Sequence, residues 1–295
     1  MTTPVTEARL IEGKVFAQQI QAEIKKEVED LLLKKKALPR LAALQSRPDP
    51  ASEWYINQQE KLAAKLGILF ERFSPPQLAS QKILLEKIQE LNANPACHGI
   101  FIAMPLPPEF DSDQVLLALD AHKDVEGIHP ASLGLIVLRR AKLIPPTAFA
   151  ALKLIEMTVG EMKQSLRGMK TVIVGQSAIV GRPLQLLLGE RRVTTLVCNT
   201  GTSNDDLKNA VAESDIVVAC AGQPGLIKGE WIKPGAIVID VGTTEVNGKL
   251  AGDIEFEEAR KRAAFIAPVP GGVGPLTVTM LMQNLINAYK WQKGL

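Results

Sequence analysis

The sequence predicts an α/β protein of two domains, and three observations support this prediction. The chain has 295 residues, about twice the ~150 residues of a typical domain. Its composition is 46% hydrophobic and 22% charged, which indicates a folded chain with a sizeable core rather than a disordered one. Apolar strand-like segments alternate with amphipathic helical segments, a pattern typical of a mostly parallel sheet covered by helices.

The first half of the chain begins with a long helix, predicted over 16–32 from apolar residues at three- and four-residue spacing. A strand over 41–44 ends in a turn rich in proline. Ser52 is expected to be the N-cap of a helix over 55–66, which stops at Gly67. A strand over 68–73, a helix over 82–91 and a strand over 99–103 follow.

A stretch rich in proline and polar residues, from Met104 to Thr147, separates the two halves, and we place the domain boundary at its end. The domains are therefore expected to cover 1–147 and 148–277. The second domain is predicted to contain strands over 171–174, 194–197, 216–220 and 236–241, with helices after Gly181 and near 204–212. A last helix is predicted over 278–290.

Charge and composition exclude several classes of protein. The formal charge is only +2, from 34 basic and 32 acidic residues, so no basic excess indicates a nucleic-acid partner. No apolar run reaches the ~18–20 residues that span a bilayer, and residues 1–14 lack the apolar core of a signal peptide. Neither the cysteines nor the histidines have disulfide or metal-ligand spacing, so we expect a reducing cytoplasm and no metal; they are Cys97, Cys198, Cys220, His98, His122 and His129.

Residues 171–183, TVIVGQSAIVGRP, indicate a dinucleotide site. They read as an apolar strand, a glycine turn and the start of a helix, where free N–H groups and the helix dipole favour a phosphate. The spacing departs from GxGxxG, because Ser177 replaces the middle glycine and Gly181 comes one residue late. An ordinary strand, turn and helix would also fit. The acidic residue expected ~20 residues on is absent, although Asn199 could bond a ribose hydroxyl. This segment predicts a Rossmann-like second domain.

Four segments in this order resemble the methylenetetrahydrofolate dehydrogenase/cyclohydrolase family over nearly the whole chain. They are YINQQ at 55–59, KDVEG at 123–127, GQSAIVGRP at 175–183 and PGGVGPLT at 270–277, of which the last is the most specific. The resemblance implies two α/β domains with a cleft between them, a C-terminal helix (278–295) that returns to the first domain, and a homodimer. It also implies oxidation of 5,10-methylenetetrahydrofolate with a nicotinamide cofactor, followed by hydrolysis to 10-formyltetrahydrofolate.

The resemblance also assigns roles to individual positions. Tyr55 matches the tyrosine that packs on the folate ring, and Glu126 matches the acid that holds the pterin. The predicted catalytic positions are therefore Tyr55, Gln59 and Glu126. The predicted substrate-binding positions are Tyr55, Ala103, Glu126, Pro270, Gly271, Gly272, Val273 and Gly274. The predicted cofactor-binding positions are Gly175, Gln176, Ser177, Thr200 and Thr243.

This sequence departs from the family at positions that carry chemistry. The catalytic lysine, four residues after the tyrosine, is Gln59, and Lys61 should face elsewhere because only i+3 and i+4 neighbours share a helix face. The other departures are Ala103 for a glutamine, Glu126 for an aspartate, Pro146 for a cysteine, Gln176 for an arginine and Gly201 for a basic residue.

Hydride transfer mainly needs positioning of the methylene carbon, whereas hydrolysis needs a group that moves protons. A lysine can do so and a glutamine amide cannot. We therefore expect a dehydrogenase, with tetrahydrofolate as the one-carbon carrier, whose cyclohydrolase activity is weak or lost. The loss of arginine at Gln176 favours NAD over NADP. The alternatives are a bifunctional enzyme with another group or a water in place of the lysine, a silent folate-binding paralogue, and an enzyme for a shifted one-carbon substrate.

Overall fold

The computed structural model describes residues 7–34 and 36–295, so residues 1–6, which belong to the segment without a signal core, lie outside it. It contains two compact units. One runs from Gln19 to Pro146 and includes Val278–Leu295; the other contains the segment ending at Gln18 together with Thr147–Thr277. We call the first the substrate unit and the second the dinucleotide unit, after the roles that the sequence analysis predicts for them. Within the described ranges, no helix is long and apolar enough to cross a membrane.

The helices and strands alternate along the chain. The helices are α1 Gly13–Leu33, α2 Pro50–Leu66, α3 Gln81–Ala93, α4 Ser112–Ala118, α5 Pro130–Val137, α6 Pro146–Glu161, α7 Gly181–Glu190, α8 Asn204–Glu213, α9 Phe256–Arg260 and α10 Val273–Lys293. The strands are β1 Arg9–Leu10, β2 Arg40–Leu44, β3 Leu69–Phe73, β4 Gly99–Ile102, β5 Lys170–Val174, β6 Thr194–Cys198, β7 Ile216–Ala219, β8 Ile237–Asp240, β9 Thr244–Val246, β10 Lys249–Ala251 and β11 Phe265–Ala267. The predicted α/β fold class is confirmed.

The substrate unit is built on a parallel sheet of three strands in the order β3-β2-β4. Residues of β2 and β4 are buried on both faces, as in a parallel sheet covered by helices. The segment after α4 runs alongside β4, because Ile100 N–H donates to the Lys123 carbonyl at 2.7 Å and Ile100 bridges Asp124. The residues that follow β4 and this segment therefore emerge at the same edge of the sheet.

The dinucleotide unit contains a parallel sheet of six strands in the order β1-β11-β8-β7-β5-β6. The chain leaves β5 to form β6 on one side and returns to form β7 on the other. The order of strands therefore reverses between β5 and β7. In open parallel sheets, ligands bind at the carboxyl ends of the strands at such a reversal.

Several local predictions were wrong in their details. The N-cap of α2 is Asp49 rather than Ser52: the Asp49 carboxylate accepts from Ala51 N–H at 3.0 Å and Ser52 N–H at 3.1 Å. Ser52 instead completes a capping box from the third helical position, because Pro50 occupies the first turn. The polar stretch over 104–147 contains α4 and α5, which are too short to show a clear period.

Two boundaries also differ from the predicted ones. Helix α10 begins at Val273, not at 278, so Val273 and Gly274 lie in its first turn rather than in a loop. The described residues up to Gln18 group with the dinucleotide unit rather than with the first domain. The reason is that β1 adds an edge strand to the six-stranded sheet by parallel pairing with β11, a contact between residues far apart in sequence.

Candidate functional site

Helix α2 places Tyr55 and Gln59 one turn apart on the same face. The Tyr55 ring is half-buried and lies 5.8 Å from the Phe101 ring, centroid to centroid. Gln59 is 0% exposed, and neither its Oε1 nor its Nε2 has a hydrogen-bond partner among the described residues. An unpaired buried polar group costs ~1–3 kcal/mol. The amide of Gln59 is therefore a buried polar group whose hydrogen-bonding capacity is unused among the described residues.

Glu126 is held in place by the turn that contains it. Asp124 is buried, and its Oδ2 accepts from His129 N–H at 2.9 Å and from Ser132 Oγ at 2.8 Å. Gly127 closes the turn with φ +60°, where a Cβ would lie 2.7 Å from the carbonyl carbon of Ile144. This close approach leaves room only for glycine, so the backbone fixes the direction in which Glu126 leaves the turn.

Lys123, in the same motif, has a structural role that the sequence analysis missed. Its buried Nζ donates to the carbonyls of Leu91 at 2.8 Å, Asn92 at 2.7 Å and Asn94 at 2.8 Å. These carbonyls end α3, where a cation is also favoured by the helix dipole. The ammonium of Lys123 is therefore engaged by α3 and is not available for chemistry at the position of Gln59.

The electrostatics of the site link Glu126 to Tyr55. Burial raises the pKa of the Glu126 carboxyl to about 8, and the charge of Asp124 raises it further in the same direction. Burial, and then the charge of Glu126, raises the pKa of the Tyr55 hydroxyl. Ala103 is buried in the same apolar cluster against which Tyr55 packs. The structure thus places Glu126 close enough to Tyr55 to interact electrostatically and Ala103 in the cluster that Tyr55 contacts. Gln59 lies one turn along α2.

The raised pKa of Glu126 predicts how stability depends on pH. An acid whose pKa rises from 4.5 to about 8 on folding stays protonated in the native state while it ionises in the unfolded state. The contribution of Glu126 to the free energy of unfolding is therefore largest below pH 4.5 and is lost as the pH rises through about 8. We expect the Tm of Glu126→Gln, relative to wild type, to increase over this interval in the absence of ligand. A Tm difference that is constant from pH 4 to 9 would contradict the raised pKa.

In the dinucleotide unit, two glycines let the backbone of the 175–181 turn pack closely. Gly175 has φ +122°, and a Cβ there would lie 2.3 Å from the Cys220 carbonyl oxygen; a Cβ on Gly181 would lie 2.1 Å from the Gly175 oxygen. Gln176 and Ser177 are exposed, and Ser177 Oγ accepts from Val180 N–H at 3.2 Å. This turn leads directly into α7, so it fits the phosphates of a dinucleotide.

The end of β6 lies beside this turn. Asn199 Nδ2 donates to Gln176 Oε1 at 3.3 Å, and Asn199 Oδ1 accepts from Gly201 N–H at 2.9 Å. Thr200 is exposed next to them. The first turn of α8, which follows, carries Asp205 and Asp206. The groups at this edge are therefore amides, a hydroxyl and carboxylates.

The remaining predicted positions, Thr243 and the 270–274 segment, lie in the same unit. Thr243 is exposed and follows Gly242 at the end of β8. In the 270–274 segment, Pro270, Gly271 and Gly274 are exposed, whereas Gly272 and Val273 are buried. Gly272 N–H donates to the Pro268 carbonyl at 2.8 Å, and Gly13 N–H donates to the Gly271 carbonyl at 3.1 Å. The Val273 side chain is thus part of the core, and only the exposed backbone of this segment is open to a ligand.

Comparisons with known proteins match segments of both units. Residues 11–126 match the family described as the tetrahydrofolate dehydrogenase/cyclohydrolase catalytic domain, and residues 145–293 match the NAD(P)-binding domain of the same family. The chain is 42% identical over 282 residues to the bifunctional protein FolD 2 of Myxococcus xanthus, covering 95% of this chain and 96% of that protein.

Solved structures are also similar. The FolD methylenetetrahydrofolate dehydrogenase-cyclohydrolase of Trypanosoma brucei, complexed with NADP and an inhibitor, is 36% identical with a TM-score of 0.90, over 98% of this chain and 100% of that one. A 5,10-methylenetetrahydrofolate dehydrogenase of the silkworm Bombyx mori is 30% identical, also with a TM-score of 0.90, over 98% and 100% of the two chains.

Proposed function

Because this chain belongs to the tetrahydrofolate dehydrogenase/cyclohydrolase family, we propose that it oxidises 5,10-methylenetetrahydrofolate to 5,10-methenyltetrahydrofolate with a nicotinamide dinucleotide, and that it hydrolyses the methenyl product weakly or not at all. The observation that carries the second half of this proposal is the buried amide of Gln59. It stands where the family has a lysine, and an amide does not titrate in the physiological range.

Neither lysine of α2 can take over the role of the missing catalytic lysine. Lys61 is exposed, two residues after Gln59, and Lys65 Nζ donates to Gln21 Oε1 at 2.9 Å on the exposed side of the helix. Lys123 is engaged by the three carbonyls that end α3. None of the described lysines of α2 or of the 123–127 motif is therefore placed to act at position 59.

The residues that remain suit hydride transfer. Tyr55 offers a ring face for the pterin. The Glu126 carboxyl, which is protonated in the ligand-free protein, would ionise on binding and accept two hydrogen bonds from the amide-like edge of the pterin. The Gly175–Ser177 turn and the start of α7 would hold the cofactor's pyrophosphate, and the cofactor, when bound, accepts the hydride. The lone pairs of the folate nitrogens drive loss of the hydride and stabilise the resulting cation, so the protein mainly has to position the reacting carbon.

One assay tests both halves of this proposal. Purified protein is mixed with methylenetetrahydrofolate and either NAD or NADP, and formation of reduced nicotinamide and of the methenyl product is followed by absorbance. We expect reduced nicotinamide to form and the methenyl product to accumulate. Rapid enzyme-dependent loss of the methenyl signal would support a bifunctional enzyme instead. Binding of both ligands without turnover would support a silent paralogue.

We further propose that the cofactor is NAD. Gln176 pairs with Asn199, and Gly201 has no side chain. The first turn of α8 carries two acids. None of these groups is a cation that could bind a 2′-phosphate. Arginine recognises phosphate in a bidentate manner, whereas a nearby carboxylate repels the phosphate.

Gln176→Arg is therefore expected to raise the NADP-to-NAD ratio of kcat/KM. A charged hydrogen bond contributes ~1.5–3 kcal/mol, so the ratio should rise by roughly 10-fold or more. Gln164→Arg, at an exposed glutamine in the loop before β5, provides the matched control and should leave the ratio unchanged. If both variants shift the ratio equally, the effect is one of net charge and position 176 does not contact the phosphate.

Two further parts of the proposal concern the state of the protein in the cell. The resemblance to the family supports a homodimer, which sedimentation or light scattering would test. Cys97, Cys198 and Cys220 are all free thiols, which supports a reducing compartment such as the cytoplasm.

A further inference from the structure

We propose that Asp253 is a positioning residue for the nicotinamide cofactor: it holds the turn after β7 in the shape that the dinucleotide binds. This inference rests on the proposed function for the identity of the ligand. Asp253 follows the hairpin of β9 and β10, and it belongs to none of the motifs that identify the family in this sequence.

The Asp253 carboxylate holds this turn by accepting hydrogen bonds from backbone N–H groups of the turn. Its Oδ2 accepts from Ala221 N–H at 2.6 Å and from Gly222 N–H at 2.9 Å. Asp253 itself is 0% exposed, whereas Ala221 and Gly222 are exposed. Thr244 Oγ1 also donates to the Gly222 carbonyl at 3.2 Å. A buried carboxylate thus fixes a surface turn, which is an arrangement suited to presenting backbone groups to a ligand.

The turn lies at the reversal of strand order. Cys220–Gly222 follows β7 directly, and Gly175 follows β5, the neighbouring strand across which the order reverses. The two turns touch, since a Cβ on Gly175 would meet the Cys220 carbonyl oxygen. A shift of the Ala221–Gly222 backbone would therefore alter the crevice in which a dinucleotide binds to such a sheet.

A second carboxylate locks Asp253 in place. Asp240 Oδ1 accepts from Gly242 N–H at 3.0 Å and from Asp253 N–H at 3.1 Å, and its Oδ2 accepts from Ile254 N–H at 3.0 Å. The fit leaves no spare room: a Cβ on Gly242 would lie 2.3 Å from Asp253 Oδ1, and a Cβ on Gly252 would lie 2.1 Å from Asp240 Oδ2. The turns after β7 and β8 are therefore coupled through one pair of acids.

This pair of buried acids lowers the stability of the fold. Burial raises the pKa of Asp240 to about 7, and the neighbouring charge of Asp253 also raises it. Asp253 Oδ1 is buried without a hydrogen-bond partner among the described residues. Two adjacent buried acids, one of them half-satisfied, cost stability that apolar residues would not. The groups that face Asp253 are Asp240 and the Cys220 thiol.

The test compares three variants of the whole chain by direct binding of NADH, followed by its fluorescence. Asp253→Ala removes the grip on the turn and is expected to raise the NADH Kd ~10–100-fold, as misplacement by about 1 Å can do. Asp253→Asn keeps a carbonyl oxygen for the two N–H groups and is expected to restore most of the affinity. Binding of tetrahydrofolate, measured by calorimetry, is expected to stay unchanged in both variants.

Asp215→Ala is the matched control. Asp215 precedes β7 and accepts from Lys170 N–H at 2.9 Å and Lys233 Nζ at 2.6 Å, so its loss removes a similar number of bonds from the opposite end of the sheet. It should lower stability without changing the NADH Kd. The inference is overturned if Asp253→Ala binds NADH like wild type, or if Asp253→Ala and Asp215→Ala weaken binding equally. Failure of the wild type to bind NADH at all would instead overturn the proposed function.

Discussion

Replacement of Gln59 by lysine is expected to accelerate hydrolysis of 5,10-methenyltetrahydrofolate by ~10²–10⁴-fold, the usual contribution of a general acid–base group. The side chain at position 59 is fully buried on the face of α2 that carries Tyr55. Burial lowers the pKa of a lysine toward neutrality, so the introduced amine could accept and return protons. Hydride transfer should change little, because it depends on positioning.

The measurement is the decay of methenyl absorbance at equal enzyme concentrations, with dehydrogenase turnover recorded in parallel. Gln58→Lys is the matched control, since it adds the same charge one residue earlier on a different part of the helix surface. If Gln58→Lys gains as much hydrolysis as Gln59→Lys, the gain is not specific to the site. If wild type and Gln59→Ala both hydrolyse the substrate efficiently, position 59 has no role in the loss of activity.

Lys123→Met is expected to destabilise the protein by about 2–4 kcal/mol, because it leaves up to three buried or half-buried carbonyls without their donor, at ~1–3 kcal/mol each before relaxation. Those carbonyls are the ones that Nζ joins at the end of α3. Methionine keeps most of the length and the apolar contacts of the lysine, so the loss reports the hydrogen bonds rather than a cavity.

Urea denaturation followed by circular dichroism measures this loss. Lys82→Met, in the first turn of the same helix, is the control: its side chain is 86% exposed and lies 4.0 Å from Glu86, so its replacement should change stability by less than ~0.5 kcal/mol. Equal stabilities of the two variants would show that the three carbonyls are satisfied by water when Lys123 is absent. The Glu126 turn would then not depend on this lysine.

The positions of α2 and of the phosphate turn show what local sequence patterns can predict. Tyr55 and Gln59 share a face because they are four residues apart, and Gly175 marks a turn because only glycine adopts φ +122° readily. Both follow from short-range geometry. The mistaken N-cap of α2 has a local cause as well, since Asp49 and Ser52 are both good caps and the choice depended on where Pro50 lies.

Such local patterns could not predict contacts between segments that are distant in sequence. The pairing of β1 with β11 joins segments more than 250 residues apart, and neither two- or three-residue strand has a period of its own. Asp253 likewise reads as one more acid near a hairpin until the structure places its carboxylate against Ala221 and Gly222.

By itself, the amino-acid sequence determined the α/β class, the order of most helices and strands, and the residue types at the site, because periodicity, turn chemistry and residue spacing are local properties. Only the tertiary structure decided what those residues can do. It engaged Lys123 with the end of α3 and left the amide of Gln59 buried without a partner among the described residues. It also raised the pKa of Glu126 by burial. Hydrogen-bond satisfaction and desolvation depend on which distant groups pack together, and no local pattern records them.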